Sequence, residues 1–342
     1  MLGRLLALFK ARNIEFFRDR ASLGWNIIFP VFVIVFISVA MGDDGKSGYK
    51  VGTIGDLPTA GVAAEFFENR YIQLIPRTRS ASSRDEAIKK VGSHQLDLFI
   101  DFESVPPSYW VNDTSPKGYF LDRLLRAELG QNFTVNRQAL NEARIRYVDW
   151  LVPGVLAMNI MFGSLFGIGY PIVRYRKNGV LKRLKATPLT AMEFLLAQVF
   201  SRLVVILATS GVVFVVCKLL LDFRMEGSFL LLILLALVGA LNLISIGILV
   251  ACRLKSEELS GGLLNFLTWP MMLCSGVWFS LEGAHPLLQQ LAMALPLTHF
   301  INAARSVMID GAGLIAIAPE LSYLLLTAII FMGLGAKLFR WD

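Results

Sequence analysis

Few residues in this 342-residue chain have the types and spacing for covalent chemistry. Gly45-Lys46-Ser47 resembles the end of a phosphate-binding loop, whose lysine and hydroxyl side chain hold nucleotide phosphates and magnesium. That pattern requires a glycine five positions before Gly45, and Ala40 stands there. The triplet also follows an apolar run, on the wrong side of a membrane for ATP. His94, His285 and His299 are too scattered to form a zinc set. Cys217, Cys252 and Cys274 lie in or beside apolar runs without metal spacing, and are read as small packing residues. No serine sits in a nucleophile elbow. Asn112 and Asn132 head Asn-x-Thr triplets, a pattern common by chance. The expectation is a chain with no catalytic residue, no metal and no cofactor of its own.

A different chemistry is written in Arg174 to Leu189, RYRKNGVLKRLKATPL, which carries six Lys or Arg and no acidic residue. Gly179 and Pro188 bracket enough chain for about two helical turns. On such a helix Val180, Leu181 and Leu184 form an apolar face, and Lys182, Arg183 and Lys185 a basic one. A short helix of this kind can insert into a cleft of a soluble partner. A basic loop that sets topology and touches lipid headgroups explains the same residues equally well.

The elements around it are long apolar runs. The chain is 55% hydrophobic with a mean hydropathy of +0.58, too apolar for a soluble protein of this size. Spans are expected at 25–41, 151–173, 194–221, 228–252, 262–281 and 321–338. Basic loops between spans stay on the cytoplasmic side, so 174–193 is expected inside, with both termini. Gly163 and Gly167, four apart in the second span, allow close helix packing. Arg202 and Lys218 are expected to snorkel from the ends of the third span. Residues 1–24 read as a basic amphipathic helix on the inner membrane surface. Ser38-Val39-Ala40 resembles a signal cleavage site, but the long basic start and Pro30 favour an uncleaved span.

Residues 42–150 are the one long polar region, with 14 Lys and Arg against 15 Asp and Glu. The net charge of +7 therefore lies in the short loops, which suits membrane topology rather than nucleic-acid binding. Strands are expected at 49–54, 71–75, 96–102 and 109–112, with helices at 60–69 and 83–91. The stretch 118–147 reads as one or two helices returning to the membrane. Alternating strands and helices predict a small α/β extracytoplasmic domain inserted between the first and second spans. Residues 282–310, broken by Pro286, Pro296, His299 and Arg305, are expected as an external hairpin of two short helices. Trp269, Trp278 and Phe279 read as core and interface positions. The fold class is thus an α-helical polytopic membrane protein of six spans, with 151–342 as a five-helix membrane domain.

The spans hold no acidic residue well inside, which disfavours ion-coupled transport. Energy for transport would have to come from another chain. At this point the chain resembles the type-2 permeases of ATP-binding cassette exporters, over nearly its whole length. Arg176-Lys177-Asn178-Gly179-Val180-Leu181 followed by Ala186-Thr187-Pro188-Leu189 is similar to that family's coupling-helix segment. Lys177 and Asn178 stand where many members carry a glutamate. Pro296-Leu297-Thr298-His299 with Arg305 is similar to the C-terminal family signature, and the His299 and Arg305 side chains are read as structural rather than substrate-binding. The resemblance implies coupling to an ATPase through Arg176, Gly179, Val180, Leu181, Leu184, Thr187 and Pro188. It implies ATP and Mg bound by that separate subunit, and a homodimer or a heterodimer with a similar permease. It further implies a surrounding membrane lipid phase, a bacterial inner membrane, and export of amphiphilic or drug-like substrates; the size and folded pattern of the external domain suit either an exit gate or recruitment of a periplasmic adaptor. The rival expectation is a membrane-anchored sensor or assembly scaffold with the external domain as receptor.

Overall fold

The computed structural model describes residues 2–18, 20–41, 49–55, 66–67, 69, 71–76, 81–92, 95–112, 115–129, 136–140, 147–278 and 285–341. Two compact units make up the chain. One comprises Ser38–Tyr147 with Ser280–His285, and the other comprises Met1–Ile37, Val148–Phe279 and Pro286–Asp342.

The first unit is built on a five-stranded mixed sheet in the order β2-β1-β3-β4-β5. Its strands are β1 (Tyr49–Ile54), β2 (Ile72–Pro76), β3 (Leu98–Asp101), β4 (Ser108–Asn112) and β5 (Asn136–Leu140). β1 lies parallel to β2 and β3, β3 antiparallel to β4, and β4 parallel to β5. Alternation along each strand divides two cores. Val51, Leu98, Ile100, Tyr109 and Val111 pack with Leu121 and Leu125 of helix α4 (Pro116–Leu129). Ile54, Phe99 and Trp110 pack with Ala87 and Val91 of helix α3 (Ala81–Gly92). Burial pushes the Tyr109 hydroxyl up to about 12, helped by its hydrogen bond to Asp122 at 2.6 Å.

β5 departs from the expected helices at 118–147. Asn136–Leu140 has no strand-like alternation, and its bonds to β4 as a parallel edge strand override local preference. The helix expected at 60–69, the triplet at Gly45, His94 and Phe279 lie wholly or largely outside the described residues.

The second unit is helical. It contains α1 (Leu2–Arg18), most of α2 (Arg20–Met41), α5 (Tyr147–Lys177) and α6 (Val180–Lys185). It continues with α7 (Ala191–Leu221), α8 (Phe229–Ala251), α9 (Glu257–Cys274), α10 (Pro286–Met293), α11 (Pro296–Met308) and α12 (Ala318–Leu338). Among the described residues, four helices are long and apolar enough to cross a membrane: Val148–Lys177, α7, α8 and α12. The apolar stretch Asn26–Val35 of α2 is shorter, and α9 opens on Glu257 and Glu258. α8 and α12 pair along their lengths, and α11 packs against both. In that pairing the Asn242 amide nitrogen donates to Leu324 O at 2.9 Å and Thr327 Oγ1 at 2.6 Å. Leu325, Leu326, Ile329 and Ile330 point out of α12, an exposed apolar face suited to lipid.

α1 is more than a surface float. It runs against the first half of α7, where Ser201 Oγ donates to Asn13 Oδ1 at 2.8 Å. Leu6, Ile14 and Phe17 face outward from the pair.

Candidate functional site

The basic segment is a turn, one short helix and a second turn. α5 ends at Lys177, and Gly179 then takes a left-handed conformation, φ 69°. A β-carbon is strained at that φ, so the glycine is required by the backbone although the space around it is open. α6 starts directly after it. Thr187 closes the helix, with its N–H (3.0 Å) and its hydroxyl (2.6 Å) both donating to Leu184 O. Pro188 cannot prolong the helix. Thr190 and Glu193 then form a reciprocal capping box that starts α7. The Arg4 side chain donates to Pro188 O, and it lies 3.9 Å from the buried Glu193 carboxylate.

The two faces of α6 do different work. Leu181 is fully buried in its own chain, with Val180 and Leu184 half-buried beside it. Lys182, Arg183, Lys185, Ala186, Thr187 and Pro188 are exposed. The surface offered outward is therefore basic, and the apolar face of the helix is turned inward. Burial of a leucine stabilises the attachment by about 2 kcal/mol.

Arg176 also turns inward. It is 6% exposed, and its guanidinium gathers carbonyls from two other parts of the chain. Nη1 donates to Ala251 O at 2.8 Å and to Leu254 O. Nη2 donates to Cys252 O at 2.9 Å and Arg340 O at 2.8 Å. The α8 carbonyls are those a helix leaves without partners at its C-terminus, where a cation is favoured. Phe339 lies under the guanidinium at 5.7 Å and packs with Phe194 and Trp341. Arg174 and Lys177 reach Glu257 of α9 at 3.7 and 3.5 Å. The ends of α5, α7, α8, α9 and α12 thus meet around one buried arginine. Its acceptors are backbone carbonyls, which carry no sequence signal.

Pro296, His299 and Arg305 lie together on α11 but act separately. Pro296 occupies the first helical turn, where a missing N–H costs nothing. The His299 ring stacks on Tyr323 at 3.9 Å, with Nε2 2.9 Å from Met293 O. Arg305 donates to Gly276 O at 2.7 Å and Trp150 O at 3.2 Å, and covers the Trp150 ring at 3.5 Å. It ties the start of α5 to the turn after α9. Arg305→Ala should cost on the order of 2–3 kcal/mol, because two carbonyls and an aromatic face lose their partner. Thermal melting of the purified chain checks this, and an unchanged midpoint would contradict it.

Arg202 does not snorkel. It sits about 16 Å along α7 from the helix start, 8% exposed, with Nε donating to Gly163 O at 2.5 Å. Gly167 therefore admits a guanidinium rather than another helix backbone, and Gly163 supplies a carbonyl acceptor. Lys218 does reach the end of its span, pairing with Asp222 at 2.9 Å. The buried carboxylates near the spans, Asp149 and Glu193, both lie in first turns of helices. Among the described residues no group of acidic, histidine or cysteine side chains could hold a metal ion.

These features agree with the comparisons to known proteins. The model of the ABC-2 family of transporter proteins matches residues 20–337. The chain is 28% identical over 206 residues to the inner membrane transport permease YhhJ of Escherichia coli, covering 58% of this chain and 55% of that protein. It is 22% identical over 340 residues to ABC transporter G family member 20 of Dictyostelium discoideum, covering 90% of this chain and 46% of that one. The chain spans about half the length of these curated relatives. With the family model matched from α2 to the end of α12, the chain belongs to the ABC-2 family of transporter proteins.

Proposed function

We propose that this chain is the membrane permease subunit of an ABC transporter, driven by a separate ATPase that docks on the α6 segment. One observation carries the reading: an exposed basic helix joined by short turns to α5 and α7, with Leu181 buried and with Arg176 just before it bound to carbonyls at the end of α8 and after α12. Force applied to Lys182, Arg183, Thr187 and Pro188 passes directly into α5 and α7. Leu181 keeps α6 from swinging free, and Arg176 passes the displacement to α8 and to the segment after α12. Gly179 and Pro188 set the two turns. ATP and Mg are held by the ATPase, and this chain contributes no catalytic group.

In this reading α2 and α9 complete a set of six spans, and both termini and α6 face the cytoplasm. α10 and α11 form the external hairpin, and the sheet unit, roughly 42–150, lies outside as a gate or adaptor platform. Two permease copies, alike or merely similar, enclose a path for an amphiphilic substrate moving outward. The relative named as an inner membrane permease supports a bacterial inner-membrane location.

Co-purification tests the reading. The tagged native chain should capture the ATPase encoded beside it, and a Lys182→Glu, Arg183→Glu, Lys185→Glu chain should lose it at least tenfold while melting at the same temperature. A native chain that captures no ATPase sinks the proposal and leaves the sensor or scaffold reading, with the external unit as receptor.

A further inference from the structure

Arg202 has no part in the coupling arrangement, and it is a buried cation without a counter-ion. A guanidinium carries five N–H donors, and among the described residues only its Nε–H has a protein acceptor, Gly163 O. The Phe16 ring lies 5.4 Å from its carbon. Among the described residues no carboxylate pairs with it. Glu15 is engaged by Arg12 at 2.8 Å and by the Tyr175 hydroxyl. Glu257 is engaged by Arg174 and Lys177. An uncompensated buried charge costs several kcal/mol, so a missing anion is the natural complement.

The guanidinium lines a cavity of about 670 Å³ between α1, α2, α5, α7 and the start of α9. That size suits a small ligand or part of a lipid. Phe29, Met158, Phe162 and Phe166 make most of its wall apolar. Arg12 and Arg174 also line the cavity, but each is paired there with a lining carboxylate, Glu15 and Glu257, so Arg202 supplies its excess positive charge. One charged end and an aromatic body define the complement: a molecule with an anionic oxygen group and a hydrocarbon part. We propose that this cavity binds an anionic amphiphile, whose phosphate or carboxylate oxygens accept from the Arg202 Nη groups while its apolar part lies on Phe162 and Phe166. The two sources of such a molecule are a resident anionic phospholipid and an exchangeable anionic amphiphile on its way through the protein. Neither requires the ATPase, so the site stands or falls apart from the docking of α6.

Native mass spectrometry of the full-length chain in detergent tests it, with phosphatidylglycerol and phosphatidylcholine of matched acyl chains as probes. The native chain should hold phosphatidylglycerol about tenfold more tightly than phosphatidylcholine. Arg202→Gln should erase that preference. Asn159→Glu keeps the arginine but adds a carboxylate to the cavity wall, and should erase it too; this variant decides if Arg202→Gln does not fold. Phosphatidylglycerol that survives purification without exchange identifies a resident lipid. Rapid displacement by dodecyl phosphate, but not by dodecyl maltoside, identifies an exchangeable amphiphile. Equal binding of the two phospholipids by the native chain overturns the proposal. So does a preference unchanged in a folded variant, or inorganic phosphate binding with the same affinity as the lipid.

Discussion

Arg176→Leu should leave little folded protein. The substitution removes the donor for four carbonyls in one step, those of Ala251, Cys252, Leu254 and Arg340. Hydrogen bonds from a charged donor contribute roughly 1.5–3 kcal/mol each. Coupled bonds do not add, so the expected loss is on the order of 4–5 kcal/mol. For a chain of this size that is a drop of about 10 °C or more in melting temperature. Leucine matches neither the reach nor the polarity, and the C-terminal carbonyls of α8 would be buried unpaired. Arg176→Lys should recover less than half, because an ammonium is a point charge and cannot present a planar fork to four acceptors. Arg183→Leu, exposed on the outer face of α6, serves as the control and should stay within about 0.5 kcal/mol of native. Equal melting of the Arg176 and Arg183 variants would refute the clamp. The experiment also separates architecture from coupling, since Arg176 should act through folding and Arg183 through ATPase capture alone.

Gly167→Ala should cost roughly half as much, and Gly163→Ala should be nearly silent. A β-carbon at Gly167 would lie 1.9 Å from Arg202 Cζ and 2.0 Å from its Nε. No atoms coexist at those distances, so the guanidinium must leave its seat and its bond to Gly163 O. Overpacking of this kind costs about 1–3 kcal/mol, and displacing a buried charge adds to it. At Gly163 the same β-carbon meets Ile206 at 3.5 Å and Arg202 Nη2 at 3.6 Å, ordinary contacts. Alanine there even gains helix propensity. A double-mutant cycle gives the sharper readout. In an Arg202→Ala background the Gly167→Ala substitution should cost little, a coupling of about 2 kcal/mol. Equal costs at the two glycines, or no coupling to Arg202, would show that the guanidinium is not seated there.

Much of this was legible in the linear chain. The apolar runs announced α5, α7, α8 and α12, because a helix that crosses lipid must be apolar along its length. Val51, Thr53 and Ile54, and Tyr109, Trp110 and Val111, marked β1 and β4 by their β-branched and aromatic types, a compositional trace that needs no alternation because both faces are largely buried. Asn136–Leu140 left no such trace, because an edge strand is held by backbone bonds to its neighbour. The capping box at Thr190 and Glu193 is written in the spacing of a threonine and a glutamate three residues apart.

The residue types and positions of the basic segment were set by sequence alone: charge density, Gly179 at a left-handed turn, and Pro188 at the stop. Which way that segment faces was decided only in three dimensions. Leu181 and Arg176 sit within six residues of each other and look like parts of one exposed motif. Tertiary packing buries both, and it sets Arg176 among carbonyls 75 to 164 residues away in sequence. Arg202 makes the same point. Its type and its place in an apolar run are visible in sequence, but a long flexible side chain can reach several environments. Only the gap left by Gly167, on a different helix, selects burial over the membrane surface.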